Sequence, residues 1–281
     1  MPVAHLNGTT LYYEMQGKGM PILFVHGHGL THTMFKPQMD YFSEKYKVIV
    51  CDLRGNGKSG KLSQATRDIM KTQCADLIML LNGLHLRDAV FVGLSYGGLL
   101  VQQIALEYPE RIRAMVVADS YGGEENSAMM RALQSAAAYC SWLTYYAPSA
   151  WILPAIRLSY QPWNKAYRII RRSMAEKRPG ELYKQRMAMN GWSSSGQLHR
   201  VTLPSLCLAG DRGEYTAHRM KEMAARLPDA HFALIPDSVS PCNLCQPEIF
   251  NLLLERFLEA NLSIESGRRR VSIGTVQTKD A

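Results

Sequence analysis

Residues 89–98 read Ala89-Val90-Phe91-Val92-Gly93-Leu94-Ser95-Tyr96-Gly97-Gly98. The apolar run at 89–92 predicts a short strand covered on both faces, and the pattern over 97–108 predicts an amphipathic helix. Between them stands G-x-S-x-G, a tight turn with a serine at its apex. Glycines suit such a turn because side chains there would meet neighbouring backbone. The serine hydroxyl is then lifted above the sheet at a helix N-terminus, where the dipole favours developing negative charge. The bare pentapeptide also fits a tight turn with a capping serine. Its place between a strand and a helix makes Ser95 the candidate nucleophile.

Outward from this stretch the same rhythm recurs. Ile22-Leu23-Phe24-Val25-His26, Val48-Ile49-Val50-Cys51, Ala114-Met115-Val116-Val117-Ala118 and Ser205-Leu206-Cys207-Leu208-Ala209 read as buried strands. Helical patterns lie at 33–45, 65–83, 216–227 and 246–260. Alternating strands and helices predict an α/β fold with a mostly parallel sheet and right-handed crossovers. Residues 1–17, with a turn at Asn7-Gly8, predict an antiparallel hairpin on the sheet edge.

The chain has 281 residues, 47% hydrophobic and 20% charged, which excludes a disordered or fibrous protein. Six cysteines are too sparse for a disulfide scaffold, and Met1-Pro2-Val3-Ala4-His5 lacks the basic and apolar regions of a signal peptide. A reducing cytoplasm with free thiols is the expected setting. The formal net charge of +8 is local: residues 121–200 hold eleven Lys or Arg against four Glu. The same stretch holds all four tryptophans, seven of fourteen tyrosines and no phenylalanine. It interrupts the strand rhythm with helical patterns and marks a candidate inserted unit over 121–200. The core is then 1–120 and 201–262, with a flexible tail at 263–281. Residues 132–156 carry no charge and are long enough to span a bilayer, but Pro148 and Pro154 break the run, so no membrane span is expected. Nucleic acid is not expected either, because the positive charge comes with no recognition motif.

Two more motifs follow the earlier strands. Phe24-Val25-His26-Gly27-His28-Gly29 places a loop that can offer a backbone N–H to an oxyanion, and the N–H of Tyr96 would complete a two-donor hole. Asp52-Leu53-Arg54-Gly55-Asn56-Gly57-Lys58-Ser59 is a glycine-rich turn braced by its Asp and Arg. In this order and spacing the motifs resemble those of the α/β-hydrolase family, over about residues 5–260. The resemblance implies an eight-stranded sheet with helices on both faces and a helical cap after the sixth strand. It also implies a serine nucleophile at Ser95 and an oxyanion hole at His28 and Tyr96.

The pattern then departs from the family. Its acid normally follows the seventh strand, but Ala209-Gly210-Asp211-Arg212-Gly213-Glu214-Tyr215 has Gly213 there, with Asp211 and Glu214 as the flanking candidates. The family's histidine loop resembles I-P-x-x-G-H-x-x-N-x-x-x-P-E. Here it reads Ile235-Pro236-Asp237-Ser238-Val239-Ser240-Pro241-Cys242-Asn243-Leu244-Cys245-Gln246-Pro247-Glu248, with Ser240 in the histidine's place. The eight histidines stand at 5, 26, 28, 32, 85, 199, 218 and 231, none beyond Ser240. His28 is the candidate proton shuttle, and the resemblance also sets His32 beside the serine. Losing a triad histidine costs on the order of a millionfold in kcat, leaving roughly 10³–10⁴ over water. A serine at 240 cannot act as a base near neutral pH.

The remaining candidates concern binding. His32, Trp142, Tyr146, Trp163, Trp192 and Cys242 are expected to line a hydrophobic pocket, although cap aromatics also serve as helix-to-helix packing. Cys242-Asn243-Leu244-Cys245 could be a redox pair or half a zinc site, but no second ligand pair has suitable spacing. No metal or cofactor is expected. Lys165, Arg168, Arg171, Arg172, Lys177 and Arg178 suit a wet helix face, or a docking face for an acidic carrier protein. The expected activity is a non-hydrolytic step (cyclisation, elimination or isomerisation) on a hydrophobic carbonyl compound, as in natural-product biosynthesis. The alternatives are a serine hydrolase (esterase, lactonase or thioesterase) with a relocated base, and a non-catalytic ligand-binding or sensor protein.

Overall fold

In the computed structural model, residues 2–122, 128–190 and 192–262 are described; the expected tail at 263–281 lies outside them. The strands are β1 (Val3–Leu6), β2 (Thr9–Gln16), β3 (Pro21–Val25), β4 (Lys47–Cys51), β5 (Ala89–Leu94), β6 (Ile112–Ala118), β7 (Ser205–Gly210) and β8 (Ala230–Ile235). They form one sheet in the order β1-β2-β4-β3-β5-β6-β7-β8. β1 and β2 are antiparallel to each other, β2 is antiparallel to β4, and every later pairing is parallel. Asn7 and Gly8 join the first two strands, both with positive φ (47° and 67°), as a two-residue hairpin of this twist requires.

The core helices are α1 (Lys36–Phe42), α2 (Ile69–Gly83), α3 (Tyr96–Glu107), α9 (Glu214–Ala225) and α11 (Pro247–Leu262), with a short α10 at Cys242–Cys245. Between β6 and β7 come α4 (Ala128–Cys140), α5 (Trp142–Tyr146), α6 (Ser149–Ser159), α7 (Asn164–Ala175) and α8 (Pro179–Met189). This stretch contains no strand among its described residues.

β5 and β7 are buried along their whole length, and β3, β4 and β6 along most of theirs, because apolar layers cover both faces. One layer packs Leu23, Phe91, Met115 and Cys207 against α2, α3 and α9. The other packs Phe24, Val92, Val116 and Leu208 against α1 and α11. Burial at this scale is the main favourable term for folding, at about 25 cal/mol per Å² of apolar surface. The parallel strands all end on the same edge of the sheet. Gly27, Ser95, Asp119 and Gly210 therefore converge there, where ligands bind in folds of this kind.

Candidate active site

Ser95 follows β5 with φ 51° and ψ −117°, a conformation that a non-glycine residue adopts only when its surroundings enforce it. The enforcement is visible. The Ser95 N–H donates to the Ala118 carbonyl at 2.9 Å, and the N–H groups of Gly98 and Leu99 donate back to the Ser95 carbonyl as α3 begins. A Cβ on Gly97 would collide with the carbonyl oxygen of Val25, and one on Gly93 would stand 2.5 Å from the Gly97 carbonyl oxygen. Only glycine lets the turn pass so close to β3. Tyr96 is the first residue of α3, so its N–H has no intrahelical acceptor and is free for a ligand.

A cavity of about 340 Å³ opens over Ser95. Its floor is Gly27, His28, Leu94 and Ser95, and its cap side includes Tyr145, Ile152, Ile156, Ile170 and Met174. Ser240 and Pro241 close one side. Among the described residues His28 is the one histidine lining it. Its Nε2 lies 2.9 Å from the Leu182 carbonyl oxygen, which can only accept, so Nε2 carries the proton and Nδ1 is the basic nitrogen. Burial holds the His28 pKa down to about 4; the Leu182 hydrogen bond opposes that, and the charge of Arg186 adds to it. The imidazole is therefore neutral, and a weak base, near pH 7.

Asp119, the residue after β6, was not among the residues expected from the sequence. It is buried, with φ 48°. Its carboxylate accepts the Cys242 N–H at 2.8 Å and the Gly210 N–H at 3.2 Å. The side chains of Ser240 and Cys242 also lie beside it and favour its charged form. Burial raises the Asp119 pKa, and these hydrogen bonds offset part of the rise. A carboxylate thus faces position 240, and the side chain that meets it is a hydroxyl. Nothing in the local sequence Ala118-Asp119-Ser120 marks it, because its partners at Gly210, Ser240 and Cys242 are distant in sequence.

The expected acids lie elsewhere. Asp211 is exposed, and its Oδ1 accepts the Ser238 N–H at 3.1 Å. Glu214 opens α9 and is also exposed. Neither lines the cavity, because the 210–213 turn is tied to the 235–238 loop: the Asp211 N–H donates to Ile235 and the Arg212 N–H to Ser238.

The expected binding residues are also dispersed. His32 Nδ1 lies 2.7 Å from Asp52 Oδ1 and its Nε2 lies 3.3 Å from Glu14, in a separate cleft beside α7. Trp163 is buried in the core, and its indole N–H donates to the Asp237 carbonyl at 3.0 Å, bracing the loop that carries Ser240. Tyr160, which does line the cavity, donates to the Ser240 carbonyl at 2.5 Å. Trp192 packs partly buried against the core, whereas Trp142 and Tyr146 are exposed. Cys242 is buried beneath Ser240, and burial together with Asp119 pushes its thiol pKa well up, so it is a poor nucleophile. Lys177, expected on a basic face, lies on the cavity wall, and its Nζ donates to the Ala147 carbonyl at 2.5 Å.

His26 and the Asp52 turn brace the site. His26 Nδ1 donates to the Gly27 carbonyl at 2.8 Å, which leaves Nε2 to accept the Leu53 N–H at 3.0 Å. Arg54 and Asp76 form a buried ion pair at 2.7 Å. Among the described residues no group of three or more His, Cys, Asp or Glu is arranged to hold a metal ion.

A serine at a strained strand-to-helix turn, beneath inserted helices, at the carboxyl edge of an eight-stranded mostly parallel sheet defines a class. The alpha/beta hydrolase fold family model matches residues 20–238, and the chain belongs to that family. It is 25% identical over 267 residues to (E)-2-((N-methylformamido)methylene)succinate hydrolase of Acinetobacter baylyi, covering 90% of this chain and 95% of that protein. It is 35% identical over 129 residues to 3-oxoadipate enol-lactonase 2 of the same organism, covering 43% of this chain and 47% of that one. The chain likewise aligns to less than half the length of several other curated hydrolases. Among solved structures, an esterase from Thermogutta terrifontis superposes with a TM-score of 0.79 at 25% identity, covering 92% of this chain and 96% of that one.

Proposed function

We propose that the protein is an enzyme that binds a hydrophobic carbonyl compound in the cavity over Ser95 and carries out a non-hydrolytic step on it. Cyclisation, elimination and isomerisation are the reactions this chemistry allows, as in natural-product biosynthesis. The observation that carries the reading is that the buried Asp119 carboxylate meets the Ser240 hydroxyl where a base would be needed. Without an imidazole between acid and serine, Ser95 is not deprotonated for attack. It can still donate a hydrogen bond to a carbonyl oxygen. The N–H groups of His28 and Tyr96 would stabilise the enolate that forms when an adjacent C–H proton is removed. The Nδ1 atom of His28 would take that proton and return it at another position. The core at 1–120 and 201–262 supplies these groups, and the cap at 121–200 supplies the apolar roof. The basic surplus of that cap suits an acidic partner. Six free cysteines suit a reducing compartment such as the cytoplasm.

A second reading is favoured by the relatives, which are named as hydrolases. In it His28 serves as a relocated base for water or for Ser95. One experiment separates the two. A panel of apolar lactones, enol esters and β-keto compounds is incubated in water enriched in oxygen-18. The proposed function predicts isomeric or dehydrated products without the label, lost in Ser95→Ala or His28→Ala. Label in a newly formed carboxylate of the product, beyond the exchange seen without enzyme, establishes hydrolysis instead.

A further inference from the structure

The cap is apolar on two sides. On α6, Ile152 and Ile156 line the Ser95 cavity, while Trp151 and Leu158 on the other side are 78% and 74% exposed. α5 repeats the arrangement: Thr144 and Tyr145 face the cavity, and Trp142, Leu143 and Tyr146 are exposed. With Met129, Leu133 and Tyr139 of α4, eight of the fifteen large hydrophobic side chains exposed among the described residues lie between 129 and 158. A soluble surface helix turns charge outward, so an outer face of this kind marks contact with something apolar.

Charge identifies the partner. Residues 126–175 hold six Lys or Arg and no Asp or Glu. α7 packs beside α6 and turns Lys165, Arg168, Arg171 and Arg172 to solvent. A second copy of the chain docked here would set like charges against each other. Exposed Trp, Tyr and Leu flanked by Lys and Arg is instead the composition of helices that lie in the interface of a negatively charged bilayer. No described helix is long and apolar enough to cross a membrane, so contact would be with the surface.

We propose that the outer face of α4–α6, with the basic face of α7, docks the protein on an anionic lipid surface. The α5–α6 wall then stands between the bilayer and the Ser95 cavity, which places a lipid-partitioned apolar substrate next to its site. The docking is independent of the carbonyl chemistry proposed above and is read without turnover.

Full-length protein is floated with vesicles of phosphatidylcholine alone, or with phosphatidylglycerol added. The protein should float with the anionic vesicles only, less so as salt rises, with a blue shift in tryptophan emission. The double variant Trp151→Ser/Leu158→Ser should bind roughly tenfold or more weakly, since it loses two apolar side chains from the contact. Lys165→Glu with Arg168→Glu and Arg171→Glu should abolish binding. These side chains are exposed, so melting temperatures should stay near that of the parent. No flotation with anionic vesicles at low salt overturns the proposal. So does flotation unchanged in Trp151→Ser/Leu158→Ser, which would place the contact on charge elsewhere, such as Arg268-Arg269-Arg270. Self-association abolished by the same variant, or capture of an acidic acyl-carrier protein without vesicle binding, overturns it too.

Discussion

The backbone N–H of Cys242 donates to the Asp119 carboxylate at 2.8 Å across the end of the sheet. This bond joins the residue after β6 to the loop after β8 and sets Ser240 against a buried acid. Asp119 is therefore in the position to orient a base, and residue 240 is where that base would stand. Ser240→His should create ester hydrolysis, raising turnover of a small aryl ester by at least ~10²-fold over the parent. Adding Asp119→Asn should remove most of that gain, while Asp211→Asn and Glu214→Gln should leave it intact. Initial rates of the parent and the four variants check the assignment.

Burial of Asp119 also predicts a pH dependence of stability. Its folded pKa is raised, so the unfolded chain releases the proton first. Stability is then lost as pH rises from the ordinary carboxyl value, about 4, through the folded value. Asp119→Asn should flatten that part of the profile. Thermal melts of both proteins from acid to neutral pH give the difference; parallel profiles would contradict it.

His28 has the opposite sign. Its pKa is lowered from 6.5 to about 4, so the unfolded chain takes up the proton first and stability falls as pH drops through that window. His28→Gln keeps a donor for the Leu182 carbonyl and should be less acid-sensitive between pH 6.5 and 4. Activity that uses neutral His28 should be flat above about pH 6 and should fall towards pH 4.

The backbone at Ser95 stores strain. A non-glycine residue at φ 51° and ψ −117° costs about 1–3 kcal/mol, part of which glycine returns as greater freedom of the unfolded chain. Ser95→Gly should be inactive yet more stable than Ser95→Ala by about 1 kcal/mol. Comparison of the two melting curves tests this directly.

The strands around Ser95 were legible because continuous apolar runs between turn residues have few other uses. β5 and β6 were foreseen within a few residues, and α3 within one. The elbow was legible because Gly93 and Gly97 are fixed by close backbone contacts. Asp119 was not, because an Asp after a strand carries no local mark; its role comes from Gly210, Ser240 and Cys242, all distant in sequence. The cap aromatics were misleading for a related reason. Trp142, Trp163 and Trp192 share a composition, yet one is exposed, one braces the 237–240 loop and one packs on the core. Only the packing of helices against the sheet separates these fates.

In the proposed reaction Ser95 polarises a carbonyl without forming an acyl-enzyme. Intact-protein mass spectrometry after exposure to a fluorophosphonate probe reads this most directly. The parent protein should carry no adduct and Ser240→His one adduct, lost again in Ser95→Ala/Ser240→His. A stoichiometric adduct on Ser95 of the parent would contradict it.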